Sequence, residues 1–277
     1  MERSAPSSVE IKARRMNFQH TENKPRYWHH GDAFMTHALT SASIFFPEGE
    51  RFFIRSVRNY QDQVSDPKLQ EDIKGFIAQE ATHGHEHTKY NADIVKQGYG
   101  FLRPVERQVK VGLALLNKYT PKQFQLAITV ALEHITAISA GMLLAYPQLM
   151  EGVAPEHQEI WLWHAVEETE HKGVAFDVYN EVGGQYWVRV LALLLATLSF
   201  IPAVFLLLGR FLWIDKKLTR QTWQELKNYH QGKSFIFKEV GGHYLDYYRK
   251  DFHPWEVQNQ QHIEDWKAQN DRQTITI

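Results

Sequence analysis

Apolar residues recur at three- and four-residue intervals along most of the chain, and the two-residue alternation of a half-buried strand is weak throughout. From Asp32 to Phe46 the run DAFMTHALTSASIFF puts Phe34, Ala38, Leu39, Ala42 and Phe45 at helical spacing, behind an aspartate suited to capping. Pro47 and Gly49 interrupt, and the pattern predicts a second helix from about Glu50 to Val64. Pro67 opens a third, which runs to about Val95 before Gly98 and Gly100 close it. Further helical segments are expected at 104–118, from Thr120-Pro121 to about Tyr146, and from about Pro155 past Tyr179 to Gly183. Shorter pieces follow at 219–231 and about 236–250. The expected fold is all-α, a helical bundle with additions at both ends.

One segment breaks this amphipathic habit. Residues 190–209 (VLALLLATLSFIPAVFLLLG) carry no charge, lie between Arg189 and Arg210, and are bracketed by Trp187 and Trp213. The run meets the length rule for a bilayer span, with aromatic and basic flanks suited to the two interfaces. Membrane association, spanning or dipping in from one side, is therefore expected, with Pro202 marking a kink or re-entrant hairpin. The alternative is a buried helical hairpin in a soluble core. The N-terminal stretch MERSAPSSVEIKARRMNF lacks the apolar core of a secretory signal, so the expected location is the cytoplasmic side of the inner membrane. These boundaries divide the chain into an extension (1–30), a helical bundle (31–184), the apolar segment (185–215) and a C-terminal helical region (216–277).

Composition narrows the chemistry. The 31 basic and 32 acidic residues nearly cancel, which gives no electrostatic case for nucleic acid. With no cysteine, thiol nucleophiles, disulfides and iron–sulfur clusters are excluded. Fifteen histidines are many for 277 residues, and imidazole is a common metal ligand.

Spacing then picks out a constellation. Residues three and four apart share a helix face. QEATHGHEH thus aligns Glu80, His83 and His87, and HAVEETEH aligns His164, Glu168 and His171, with Glu167 at the edge of the arc. Each Glu-x-x-His follows a helix bearing a candidate lone glutamate: Glu50 in FFPEGERFF and Glu133 in VALEHITA. One glutamate from each of two helices, plus Glu-x-x-His from each of two others, is the ligand set of ferritin-like di-iron or di-manganese bundles. Carboxylates offset and bridge two divalent ions, while imidazoles add neutral donors that suit iron and manganese. The competing reading, solvated helix faces, predicts polar surroundings, whereas Glu133 sits in LAITVALEHITAISAGMLLA, where an unpaired carboxylate would be costly. The expected metal ligands are Glu50, Glu80, His83, Glu133, Glu168 and His171. His87, His164 and Glu167 stay open as further ligands or as groups that orient them.

Three stretches, FFPEGERFFIRSVR (45–58), FIAQEATHGHEHTKYN (76–91) and WLWHAVEETEHKGVAFDVY (161–179), resemble a bacterial family labelled predicted metal-dependent hydrolases. The resemblance covers roughly residues 20–270. The ligand pattern is also similar to ferritin-like di-iron oxidases and oxygenases, among which arylamine N-oxygenases use an additional histidine that His87 or His164 could match.

The first function expected from this pattern is an oxygenase or oxidase holding two iron ions, with manganese or zinc as alternatives. It would activate O2 to oxidise a small hydrophobic substrate. An external electron donor would be needed, since no flavin or nicotinamide fingerprint is present. The alternative is a metal-dependent hydrolase using a water activated between two metals. Non-enzymatic metal binding is the third reading.

Overall fold

The computed structural model describes residues 9–18, 25–270 and 275–276. Residues 1–8 and 19–24 of the expected N-terminal extension, and 271–274 and 277 at the other end, lie outside the described residues. The fold is all-α. A two-residue antiparallel pairing, Arg14–Arg15 with Ile275–Thr276, ties the N-terminal segment to the C-terminus.

Helix α1 (Ala33–Ser43) starts where Asp32 accepts a hydrogen bond from the Met35 amide at 2.9 Å. Next comes α2 (Phe46–Arg58), which starts four residues earlier than the pattern implies, because Pro47 occupies its first turn rather than preceding it. Helix α3 (Pro67–Lys96) is capped by Asp66. It is followed by α4 (Leu102–Tyr119), α5 (Lys122–Ala145) and α6 (Pro155–His171). The expected continuous helix to Gly183 is instead broken at Lys172–Gly173, and α7 (Val174–Glu181) resumes beyond the break. A Cβ on Gly173 would lie 2.8 Å from Nε1 of Trp255, so the break lets a distant indole pack against the backbone.

The apolar run forms α8 (Tyr186–Ile214), one unbroken helix through Pro202 rather than a hairpin. Proline removes the donor to the Leu198 carbonyl. Leu198 and Pro202 both lie on the open face of α8, where that carbonyl is not trapped in the core. Helices α9 (Arg220–His230), α10 (Ser234–Asp246) and α11 (Gln260–Asn270) complete the chain, the last of them not foreseen from the pattern.

Helix α2 packs on α3, and α5 packs on α6 and α8. One apolar cluster centres on Phe52, Phe76, Leu126 and Val178, another on Trp28, Tyr90, Trp161 and Trp163. By length and composition both α5 and α8 could cross a membrane. They differ in environment: 56% of the most apolar stretch of α5 is buried in the protein but only 28% of that of α8.

Candidate metal centre

Four helices deliver titratable side chains to one buried layer. On α2, Glu50 shares a face with Phe53 and Val57 and is carried inward with them. The buried stripe of α3 reads Ile73, Phe76, Glu80, His83, His87, Asn91 and Ile94, so the apolar periodicity that seats the helix also fixes its acids and imidazoles. Helix α5 brings Glu133 on the face of Leu126 and Val130, and α6 brings His164, Glu168 and His171. All of these titratable groups are at most 4% exposed. Close approach of α2 and α3 depends on Gly84, where a Cβ would stand 2.9 Å from Glu50 Oε2.

Three overlapping groups each place their ligand atoms within 4.8 Å of one another: Glu50, His83 and His164; Glu80, His83 and Glu168; and Glu80, Glu133 and His171. His171 Nε2 lies 3.1 Å from Glu80, 3.4 Å from Glu133 and 3.6 Å from Glu168. His83 Nδ1 lies 3.5 Å from Glu168 Oε1. The six residues singled out by spacing are thus brought together, with His164 beside them.

Whether this cluster suits cations is decided by what its atoms lack. Among the described residues, both carboxylate oxygens of Glu50, Glu80 and Glu133, Glu168 Oε2, His83 Nδ1 and His171 Nε2 have no hydrogen-bond partner. So many orphaned acceptors in the interior would each cost about 1–3 kcal/mol or more if nothing satisfied them. Divalent cations would satisfy them together.

The opposite side of each imidazole is fixed. His83 Nε2 donates to Glu167 Oε2 at 3.0 Å, which turns Nδ1 toward the cluster. His171 Nδ1 donates to Gln79 Oε1 at 2.9 Å, which leaves Nε2 facing the carboxylates. This is how ligating histidines are held elsewhere, with the distal nitrogen bonded to a carboxylate or amide. Glu167, left open as a ligand, is therefore used behind His83, and its other oxygen accepts from the Arg14 amide at 2.9 Å. Arg14 also binds both oxygens of Glu170, which receives Gln79 Nε2 at 2.7 Å and Lys267 Nζ at 2.7 Å. Arg14, Gln79 and Glu170 carry no helical signature pointing to the site and are not found from spacing.

A second chain of hydrogen bonds sets the state of His164. Asn91 Nδ2 donates to the Ser43 carbonyl, so Asn91 Oδ1 is free to accept from Ser43 Oγ at 2.8 Å. Ser43 has then spent its proton, and its oxygen accepts from His87 Nδ1 at 2.8 Å. His87 Nε2 must accept from His164 Nδ1 at 2.6 Å. His164 Nε2 meets Glu168 Oε1 at 2.9 Å, a hydrogen bond that requires one proton between the imidazole nitrogen and the carboxylate oxygen. His87, with both nitrogens occupied, does not face the carboxylates.

Electrostatics agree. Burial, then the charge of Glu80, pushes the Glu133 carboxyl up to about 8. Burial raises Glu50 and Glu80 as well. Burial opposes the imidazolium of His83, but Glu167 and Glu168 overcome it and raise His83 to about 10. Burial, reinforced by His83, lowers His164 to about 4 and keeps it neutral. Without cations, the cluster offsets its negative charge with protons.

Two apolar cavities reach this layer. The larger, about 460 Å³, runs between α4 and α8 to Glu50, His164 and Glu168, past Phe53, Leu113, Leu116, Ile128 and Leu195. The smaller, about 190 Å³, approaches the same His164 and Glu168 past Leu39, Ile135 and Trp161. Among the described residues, neither is lined by a lysine or arginine.

Fold and site define an all-α protein with a buried carboxylate–imidazole cluster arranged to hold cations. The family model of predicted metal-dependent hydrolases matches residues 12–258, and the chain belongs to that family. No curated protein and no solved structure matches the chain. Membership corrects the expectation of an O2-activating di-iron oxidoreductase, because the family is described as one of predicted metal-dependent hydrolases. The physical reason is that glutamate and imidazole serve zinc and manganese as well as iron, so ligand type alone does not select redox over hydrolytic chemistry.

Proposed function

We propose that the protein hydrolyses an uncharged carbonyl compound, an ester or amide, at a centre of two divalent cations. Glu50, Glu80, His83, Glu133, Glu168 and His171 would hold the cations in this reading. Cations bound there would lower the pKa of a coordinated water and polarise the substrate carbonyl.

The chain's own groups do the rest. The apolar walls of the larger cavity orient the substrate with its carbonyl toward Glu50 and Glu168 and keep bulk water out. With Glu168 committed to the cations, the Nδ1-protonated tautomer of His164 that His87 and Ser43 favour leaves Nε2 to accept a proton from the attacking water. A carbon–oxygen bond forms at the carbonyl as the bond to the alcohol oxygen or amine nitrogen breaks, and the proton passes to that leaving atom. Carbonyl chemistry is preferred over phosphate because no lysine or arginine among the described residues lines either cavity to meet phosphate oxygens.

The observation that carries this reading is the set of orphaned buried ligand atoms beside an apolar cavity that reaches Glu50 and Glu168. The test is to reconstitute the protein separately with zinc, manganese and ferrous iron and assay p-nitrophenyl esters of increasing chain length. Turnover should require metal. His164→Gln should keep the metal content and cut kcat by about 10²–10⁴, the usual worth of a positioned base. Absence of metal-dependent hydrolysis with all three ions would refute the proposal.

A further inference from the structure

The outward face of α8 presents Trp187, Leu194, Leu198, Phe205, Leu206 and Trp213 to solvent. At 1.5 Å per residue the stripe from Trp187 to Trp213 is about 39 Å long, and no charged residue falls between Arg189 and Arg210. Soluble monomers rarely leave so long an apolar surface uncovered. The opposite face of the same helix is buried against α1 and α5 through Leu193, Ala196, Leu208 and Phe211. A lone membrane-spanning helix meets lipid all round, whereas this one has only a single face to offer.

Beside it, α4 adds exposed Val111, Leu115 and Tyr119 and carries exposed Arg103, Arg107, Lys110 and Lys118 against one acid, Glu106. Between these two helices lies the larger cavity, with Leu113 and Leu116 of α4 on one wall and Leu195, Phe200 and Ala203 of α8 on the other. The apolar stripe and the passage to the metal centre are therefore one continuous surface.

We infer that the open face of α8 lies in the plane of a lipid bilayer, and that the cavity behind it takes the acyl chain of a membrane lipid ester directly from that bilayer. Tryptophans at both ends of the stripe suit the interfacial depth, and the cations of α4 suit anionic headgroups. An apolar helix face seated in the headgroup–acyl boundary is a known mode of attachment that needs no span. A second copy of the chain is a poorer occupant, because a two-fold pair would bring the basic α4 helices together and seal the mouth. The cleavage step rests on the hydrolase reading above; the lipid seat and the acyl cavity do not.

Two measurements test it on the metal-loaded full chain. In flotation with phosphatidylcholine vesicles, with and without phosphatidylglycerol, the wild type should rise with the lipid and do so more completely when phosphatidylglycerol is present. The L198D/L206D variant, altered at side chains 72% and 75% exposed and so without cost to the core, should lose vesicle binding at least tenfold. For the cavity, fluorescent parinaric acid should bind the wild type, and Ala203→Trp should weaken it at least tenfold with helicity and metal content unchanged.

Wild-type protein left at the bottom of the gradient would overturn the inference. So would a dimer that L198D/L206D converts to monomer, or parinaric acid binding indifferent to Ala203→Trp. Vesicle and acyl binding without any metal-dependent ester cleavage would sink the hydrolase reading and leave this one standing. Cleavage of short soluble esters without vesicle or acyl binding would do the reverse.

Discussion

Replacing Glu133 by glutamine should stabilise the metal-free protein while removing its response to metal. Glu133 is 2% exposed, and its carboxyl stays protonated in the folded chain up to about pH 8 against 4.5 for the ordinary group. Between those values the folded state holds a proton that the unfolded state has released, so stability falls as pH rises. Over the whole interval, at 1.36 kcal/mol per tenfold change in proton affinity, the loss is about 5 kcal/mol, with about 3 kcal/mol gone by pH 7. From pH 6.5 to 8 the raised Glu50, Glu80, His83 and His171 act in the same direction, while the lowered His87 and His164, neutral in the folded chain, oppose them only where their unfolded imidazoles still release protons near 6.5. The amide keeps the shape of the side chain but leaves its own polar atoms unsatisfied, at a cost of about 1–3 kcal/mol. At pH 8 the metal-free variant should therefore be more stable than wild type by about 3 kcal/mol. Urea denaturation of chelator-treated protein at pH 6 and pH 8 measures this. Adding metal at a hundred times its dissociation constant should stabilise wild type by about 2.7 kcal/mol and the variant far less. A variant less stable than wild type at pH 8 without metal, or a wild type indifferent to both pH and metal, would refute the reasoning.

Other perturbations act on different parts of the same structure. Gly84→Ala places a Cβ 2.9 Å from Glu50 Oε2; it should weaken metal binding at least tenfold in a chelator competition, while the helix itself gains up to about 1 kcal/mol. Arg14→Ala strips the buried Glu167 and Glu170 of their guanidinium and should cost about 3–5 kcal/mol in denaturation, with unchanged stability as the contrary result. Asp215 accepts from Tyr27, Tyr99, His37 and Arg26, and although burial opposes it, Arg26 leads these donors in holding its carboxyl down at about 2. Its contribution of about 2 kcal/mol is present above pH 4 and lost as pH falls toward 2, so Asp215→Asn should flatten the acid limb of the stability profile.

How much of this is legible in the sequence depends on the range of the interaction. Helix starts with a local cause can be read directly, as at Asp32 and Pro67, because a capping side chain or a proline ring acts within one turn. The gathering of Glu80 with His83, and of Glu168 with His171, is equally local, since the 3.6-residue period that buries Phe76 and Ile73 carries the glutamate and histidine in on the same face. The break at Gly173 answers to Trp255, more than 80 positions away, and nothing near Gly173 announces it. Pro202 misleads in the opposite sense. The sequence shows the helix breaker but not that its freed carbonyl lies on an open face. Arg14 lies in a stretch without helical periodicity, and its partners Glu167 and Glu170 are identified only once the chain has folded back on α6.

That return of the N-terminal segment bears on where the smallest working unit can be cut. A fragment trimmed by helix boundaries, beginning at Ala33, would keep every side chain assigned to the cations. It would also discard the guanidinium that balances two interior acids, the amide that fixes Glu167 behind His83, and the carbonyl of Lys12 that holds Gln79 behind His171. Both imidazoles would lose their alignment from a deletion that touches neither. Constructive redesign, whether by truncation, fusion or permutation of the termini, must therefore treat residues 11–16 as part of the centre, although they contribute no ligand to it.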